Sequence, residues 1–178
     1  MHVDIFIPCF IDQFFPDTGF NMIKLLEYAG CTTHYNPNQT CCGQPSYNAG
    51  YVQETHKLAD KFLSDFAGDT VIVSPGGSCT GFVKNNYASL FESPEQKSKA
   101  RNLGKRIYDI TDFLVNVLHV TDFKSVFPYK VTVHTSCSAL REYGLAQEPF
   151  ILLQNVSGIE LVELPDAEVC CGFGGTFS

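Results

Sequence analysis

Cys41-Cys42-Gly43-Gln44-Pro45 decides how this chain is read, because its first three residues return as Cys170-Cys171-Gly172. Each pair follows a lone cysteine at nearly the same distance: residues 10 to 40 separate Cys9 from Cys41 and residues 138 to 169 separate Cys137 from Cys170, gaps of 31 and 32. The lone cysteines end similar runs, Val3-Asp4-Ile5-Phe6-Ile7-Pro8-Cys9 and Val131-Thr132-Val133-His134-Thr135-Ser136-Cys137. This is an internal duplication whose fixed points are thiols.

Working outward from the first pair, Val3 to Ile7 has the apolar, branched composition of a strand buried on both faces. Phe20, Ile23, Leu26 and Tyr28 recur at helical spacing between Asp17 and Ala29, and Gly30 is a natural terminator. Cys31 to Tyr35 reads as a second strand, and Asn36-Pro37-Asn38 turns the chain into the loop that carries Cys41 and Cys42. Val52, Thr55, Ala59, Phe62 and Phe66 outline an amphipathic helix over 51–66, closed near Gly68. Val71-Ile72-Val73 is then a third strand, running into Ser74-Pro75-Gly76-Gly77-Ser78-Cys79. Repeated strand-loop-helix units predict a parallel sheet whose connecting loops share one edge, where such sheets place their ligands. Cys9, Cys41, Cys42 and Cys79 all fall on that edge.

Ser93-Pro94-Glu95-Gln96 is a helix start, with a Ser cap, Pro at the first helical position and Gln three residues past the cap. Ala100, Leu103, Ile107, Ile110, Leu114 and Val117 then step along one face, which predicts a single long core helix ending near His119-Val120-Thr121. The second lobe repeats the first: strand 131–134, Cys137, helix 149–156, strand 159–164, and Cys170-Cys171-Gly172-Phe173-Gly174-Gly175. The expected fold class is α/β, with two duplicated Rossmann-like lobes of short parallel sheets flanked by helices, the second lobe incomplete. The expected division is 1–92 for the first lobe, 93–128 for the linking helix and 129–178 for the second lobe. The gap from Cys42 to Cys79 would put a matching second-lobe cysteine near position 208, so the reading expects a chain truncated at its C-terminus.

The 178 residues are 44% hydrophobic, enough for a real core, and carry a net charge of -7. No Lys/Arg run or basic-aromatic interleaving is present, which argues against nucleic acid as a partner. Met1-His2-Val3-Asp4 lacks the basic start of a signal peptide, and no apolar run approaches membrane-spanning length, so the expected location is the cytoplasm. Cysteines kept reduced there more often bind metal or do redox chemistry than staple a fold.

Four thiolates on one sheet edge suit an iron-sulfur cluster or zinc. Consecutive residues of a strand point to opposite sides, so using both Cys41 and Cys42 at one site requires a turn, which Gly43 permits. Zinc knuckles more often use Cys-x-x-Cys, and the residues closing on Cys79 read Gly76-Gly77-Ser78-Cys79. Gly76, Gly77, Gly172, Gly174 and Gly175 would let main-chain donors approach the sulfurs, and Cys79 would open a helix whose first amides favour negative charge. A rival reading makes Cys79 a nucleophile with His34, His56 or His134 as base, but it leaves the duplicated pairs unexplained. Cys31, outside the repeat, reads as a small core residue. The glycine-rich ending does not meet G-x-G-x-x-G, so no nicotinamide site is expected.

With Cys-x31-Cys-Cys-Gly-x35-Cys in place and its first part repeated, the chain resembles the cysteine-rich "CCG" domain family. That family includes the cysteine-rich subunit of heterodisulfide reductase and iron-sulfur subunits of glycolate and glycerol-3-phosphate oxidation systems. The likeness is greatest to its bacterial lactate-utilisation branch and covers the whole chain: Cys41 to Pro45, Ser74-Pro75 with Gly77-Ser78-Cys79, Thr111-Asp112-Phe113 with Val115 to Leu118, His134 to Cys137, and Cys170 to Ser178. The resemblance implies an iron-sulfur electron-transfer subunit of a multi-subunit system oxidising L-lactate to pyruvate, working with a second iron-sulfur protein and a third subunit. It implies that Cys9, Cys41, Cys42 and Cys79 bind one cluster, of 4Fe-4S type, and that Cys137, Cys170 and Cys171 begin a second. The chain departs from the heterodisulfide reductase pattern at Gly76, where a further cysteine would stand, which favours four cysteine ligands over five. Ser138 stands where many relatives would have histidine, and the relatives continue beyond Ser178. The alternatives are a zinc-binding structural or assembly subunit and a thiol-disulfide protein using the vicinal cysteines. Arg141 could meet a substrate carboxylate, although a lone Arg in an early helical turn is more often solvated.

Overall fold

The computed structural model describes residues 1–173. The donor roles expected of Gly174 and Gly175, and the motif residues Thr176 to Ser178, lie outside the described residues. Strand β1 (His2–Ile5) opens the chain, followed by α1 (Cys9–Phe14) and α2 (Pro16–Tyr28). Next come β2 (Thr32–Tyr35), α3 (Gln44–Asn48), α4 (Val52–Asp65), β3 (Val71–Ser74) and α5 (Gly77–Leu90). With β4 (Ile107–Asp109), the strands are joined in parallel in the order β2-β1-β3-β4, and Ile5 is level with both Tyr35 and Val73. This is the α/β topology expected, with Cys9, Cys41, Cys42 and Cys79 all following strand ends.

The central strands β1 and β3 are covered on both faces, as their apolar runs require, while the edge strand β2 is largely exposed. Val3, Ile5 and Val73 face Met22 and Leu26 of α2 together with Phe113 and Leu114. On the other face Phe6 and Ile72 pack with Phe62 of α4, with Phe82 and Tyr87 of α5, and with Phe91 and Leu103. Phe6 meets the Phe62 ring edge-on at 4.8 Å. Each such fully buried side chain contributes roughly 1.5–3 kcal/mol to the floor beneath the cysteine edge. Cys31 lies in this core, 7% exposed, as its reading as a small apolar residue required.

The expected long helix is not one helix, and this is the main correction. Helix α6 (Pro94–Gly104) stops at Gly104, and β4 follows as a fourth strand of the first sheet, pairing with β3 through Ser74 and Asp109. Only then come the short α7 (Ile110–Asp112) and a π-helical turn, Phe113–Val117. The apolar stripe survived because Ala100 and Leu103 of the helix, Ile107 of the strand and Leu114 of the turn are all buried. A free β3 edge also has unpaired backbone groups that a fourth strand satisfies. Gly104 permits the sharp approach: a Cβ there would lie 2.8 Å from the Lys84 carbonyl oxygen.

In the second lobe β5 (Lys130–Val131) and β6 (Glu160–Leu161) form a two-stranded parallel sheet, shorter than the strands expected at 131–134 and 159–164. Between them lie a π-helical turn, Ser138–Tyr143, directly after Cys137, and α8 (Glu148–Gln154). Among the described residues no helix is long and apolar enough to cross a membrane.

Candidate functional site

The first thiol set is built by three loops at the ends of neighbouring strands. Pro8 is extended (φ -57°, ψ 142°) and delivers Cys9 to the first turn of α1. Gly43, at φ +88°, makes the turn that brings both Cys41 and Cys42 into one site, a conformation that only glycine adopts cheaply. Cys9 Sγ–H donates to Cys41 Sγ at 3.5 Å, and the Gly43 N–H donates to the same sulfur at 3.4 Å. Cys42 is buried, with the thiols of Cys41 and Cys79 as its neighbours. The buried Tyr87 hydroxyl donates to the Cys42 carbonyl oxygen at 2.7 Å. Cys79 sits in the first turn of α5, where unpaired helix amides favour negative charge.

This arrangement sorts the thiols into donors and acceptors. The hydrogen bond from Cys42 outweighs burial and, with the Gly43 N–H and Cys9, brings Cys41 down to about 5. Cys79 is lowered chiefly by its hydrogen bond from Cys42. Cys42 is held well above the usual thiol range by its bonds to Cys41 and Cys79 and by burial. Burial, followed by its bond to Cys41, pushes Cys9 up to about 11. Four neighbouring thiols, two of them lowered toward thiolate, fit as a donor set a thiolate-bound metal or cluster. Among the described residues, no three His, Cys, Asp or Glu side chains already close on one ion position.

The second set repeats the local geometry. Cys137 Sγ–H lies 3.7 Å from Cys170 Sγ, and the Gly172 N–H donates to that sulfur at 3.4 Å, with Gly172 at φ +81°. The Gly172 N–H is the main reason that the Cys170 thiol is lowered. Cys170 and Cys171 are both exposed.

Other residues singled out by sequence have different partners. His34 bonds Asp4 at 2.9 Å, and His56 lies against Asp60 and the Phe91 ring. The His134 Nε2–H donates to the Val169 carbonyl, beside Cys170. Exposed Arg141 donates to the Glu168 carbonyl at 3.4 Å. Gly76 is needed for space, since a Cβ there would lie 2.7 Å from Pro8 Cγ. A fifth cysteine at that position would displace the loop leading to Cys9.

Sequence reasoning treated Gly43 as a turn and missed that it donates to sulfur. It also missed Gln39, whose side chain accepts from the Ile7 N–H and donates to the Ile5 carbonyl, stitching the Cys41 loop to the end of β1. Glu142 was likewise missed, although its carboxylate accepts from Gln44 beside the first pair. Nothing in the sequence signals a contact across 98 positions.

A family model described as "CCG: Cysteine-rich domain" matches residues 3–84 and 131–178, the two segments that hold the two thiol sets. The chain is 44% identical over 178 residues to lactate utilization protein A of Halalkalibacterium halodurans, a match that covers 100% of this chain and 73% of that protein. It is 45% identical over 179 residues to the protein of the same name from Oceanobacillus iheyensis, covering 100% and 73%. The Bacillus subtilis protein of that name is 42% identical over 179 residues, covering 100% and 75%.

Proposed function

Because the chain belongs to the cysteine-rich CCG domain family, and within it to the lactate utilization protein A group, we propose that it is an iron-sulfur electron-transfer subunit of a multi-subunit system oxidising L-lactate to pyruvate. The observation that carries this reading is the linked run Cys9, Cys41, Cys42 and Cys79 at the C-terminal edge of a parallel sheet, with the Gly43 N–H aimed at sulfur. Those residues would hold a cluster, of 4Fe-4S type in this reading. When bound, such a cluster supplies one-electron redox chemistry. The protein's own part is to present thiolates at Cys41 and Cys79, to donate a main-chain hydrogen bond to sulfur, and to keep water away with the Phe62, Phe82 and Tyr87 floor. Cys137, Cys170 and Cys171 would contribute to a second site.

Oxidation of L-lactate to pyruvate releases two electrons, so a one-electron carrier requires other centres. The reading therefore includes a second iron-sulfur protein and a third subunit as partners, in the cytoplasm, where thiols stay reduced.

Anaerobic purification with iron and acid-labile sulfide analysis and a visible spectrum tests the proposal. Brown protein that loses its iron in Cys79→Ser is the expected result. Colourless protein with stoichiometric zinc would overturn electron transfer and favour a structural or assembly subunit. The Cys9–Cys41 contact favours one second reading, a dithiol that forms a disulfide with release of two protons and two electrons. A full count of free thiols after exposure to a disulfide oxidant would remove it.

A further inference from the structure

We propose that Glu142 is a positioning residue for the first thiol set: a second-lobe carboxylate that holds the Cys41-Cys42-Gly43 loop against helix α5. The inference rests on the reading that this set binds a metal or cluster. Glu142 Oε2 accepts from Gln44 Nε2 at 3.3 Å, and Oε1 accepts from Asn86 Nδ2 at 2.9 Å. Gln44 directly follows Gly43. Asn86 lies two helical turns beyond Cys79 on the same face of α5 and precedes Tyr87, which bonds the Cys42 carbonyl. One carboxylate thus joins the element bearing Cys41 and Cys42 to the element bearing Cys79.

The arm that carries it is rigid. The Glu142 carbonyl oxygen accepts from Asn85 Nδ2. Tyr143 donates through its hydroxyl to Asp112 at 2.5 Å and accepts from the Asp109 N–H at 3.0 Å, fixing the same turn to the end of β4. The Lys84 ammonium covers the Tyr143 ring at 4.4 Å. Close approach depends on small residues of α5: a Cβ on Gly81 would lie 3.0 Å from the Tyr143 nitrogen and 3.2 Å from Glu142 Cγ, and one on Gly77 would lie 3.0 Å from Ala139 Cβ.

The choice of residue is also informative. Glu142 is half-buried, and among the described residues it forms no ion pair; its carboxylate partners are two neutral amides. Burial of that kind disfavours the charged form, and the carboxyl is raised accordingly. What the carboxylate offers in return is two acceptors on one planar group, which span the gap between loop and helix. Groups that orient metal ligands in this way set affinity through geometry. The first site is then completed by the second lobe.

The test uses Co2+ as the probe on the full chain, reduced, metal-free and anaerobic. Cys170 and Cys171 are replaced by serine so that the signal comes from the first set. Sulfur-to-cobalt charge-transfer and ligand-field bands report the number and geometry of bound thiolates. Glu142→Ala is expected to weaken Co2+ binding about 10- to 100-fold and to alter the bands. Glu142→Gln should restore both, because Gln accepts from Asn86 and donates to a flipped Gln44 amide. Gln44→Ala, which cuts only the loop arm, should fall between them with unchanged thermal unfolding of the metal-free protein. Wild-type affinity and bands in both alanine variants would overturn the proposal while leaving the metal reading intact. If Glu142→Ala does not fold, wild-type binding by Gln44→Ala alone overturns it. Glu142→Gln as defective as Glu142→Ala would make charge the determinant and overturn the positional role. Absence of a thiolate band in the parent protein would remove the metal reading and this proposal together.

Discussion

The two thiol sets share a local shape and differ in almost everything around it. In both, a glycine in the left-handed region turns a vicinal pair, its amide donates to the first sulfur of the pair at 3.4 Å, and a lone cysteine closes on that sulfur at 3.5 or 3.7 Å. Yet Cys42 is 1% exposed over an aromatic floor, whereas its counterpart Cys171 is exposed. The first pair is stitched to the sheet by Gln39 and pinned from the core by the Tyr87 hydroxyl; the second is held by contacts from His134 and Arg141 to main-chain carbonyls. The turn is therefore a local property of Cys-Cys-Gly, while burial and sulfur electrostatics come from the four-stranded sheet and its helices.

The largest difference should appear when the second cysteine of each pair is replaced. Cys42→Ser puts a hydroxyl into the core beside Phe62 and Tyr87, which costs about 1–3 kcal/mol of metal-free stability, and it removes a ligand from the proposed centre. Cys171→Ser, at an exposed position, should stay within about 0.5 kcal/mol of the parent. Denaturant unfolding of the metal-free variants, with iron content after reconstitution, checks both. Equal losses would mean that the second pair is as deeply built in as the first.

The turn glycines give a smaller contrast. Gly43→Ala and Gly172→Ala each force an L-residue into the left-handed region, at roughly 1–2 kcal/mol. At Gly43 the new Cβ also meets Thr55 Cγ2 at 3.3 Å, whereas at Gly172 no atom of the described residues lies within 4 Å. Gly43→Ala should therefore lower the melting temperature more. Tyr87→Phe should have a lesser effect still, about 1 kcal/mol for leaving the buried Cys42 carbonyl without its donor. An unchanged denaturation midpoint in Tyr87→Phe would show that this hydrogen bond does not distinguish the sets.

The same contrast explains what could be read from sequence. Strands β1 to β3 and helices α2 and α4 between them were legible because their apolar patterns answer to one buried sheet, and most of the cysteines were legible because the duplication repeats them. The fourth strand was not: Ile107-Tyr108-Asp109 is too short to show a period of two, and its buried Ile107 falls in step with the helical stripe before it. Helix α1 was hidden because Cys9–Phe14 is only six residues long, too short to show a helical period. Gln39 and Glu142 left no trace because their partners lie 34 and 98 positions away, and only the folded sheet edge makes them neighbours.

The finest test of the comparison is thiol reactivity against pH in the reduced, metal-free protein. Access alone would make the exposed Cys9 react before the half-buried Cys41. Their acidities reverse that order, since Cys41 is lowered to about 5 and Cys9 raised to about 11, and only the thiolate is the nucleophile. Iodoacetamide labelling at pH 6, read by peptide mass spectrometry, should therefore modify Cys41 ahead of Cys9. Cys170, lowered by the Gly172 N–H and exposed, should also be labelled ahead of Cys9. The linked stability effect has a definite sign. The depressed Cys41 group contributes fully above the usual thiol value of 9.0 and loses that contribution as pH falls through about 5, whereas the raised Cys9 group contributes below 9.0 and loses it as pH rises through about 11. Between about pH 9 and 5 the Cys9 contribution is constant, so any Cys41-linked loss of stability should fall in that window and vanish in Cys41→Ser. Labelling of Cys9 before Cys41 at pH 6 would show that the buried hydrogen-bond chain does not set sulfur acidity, and the two sets would then differ in access alone.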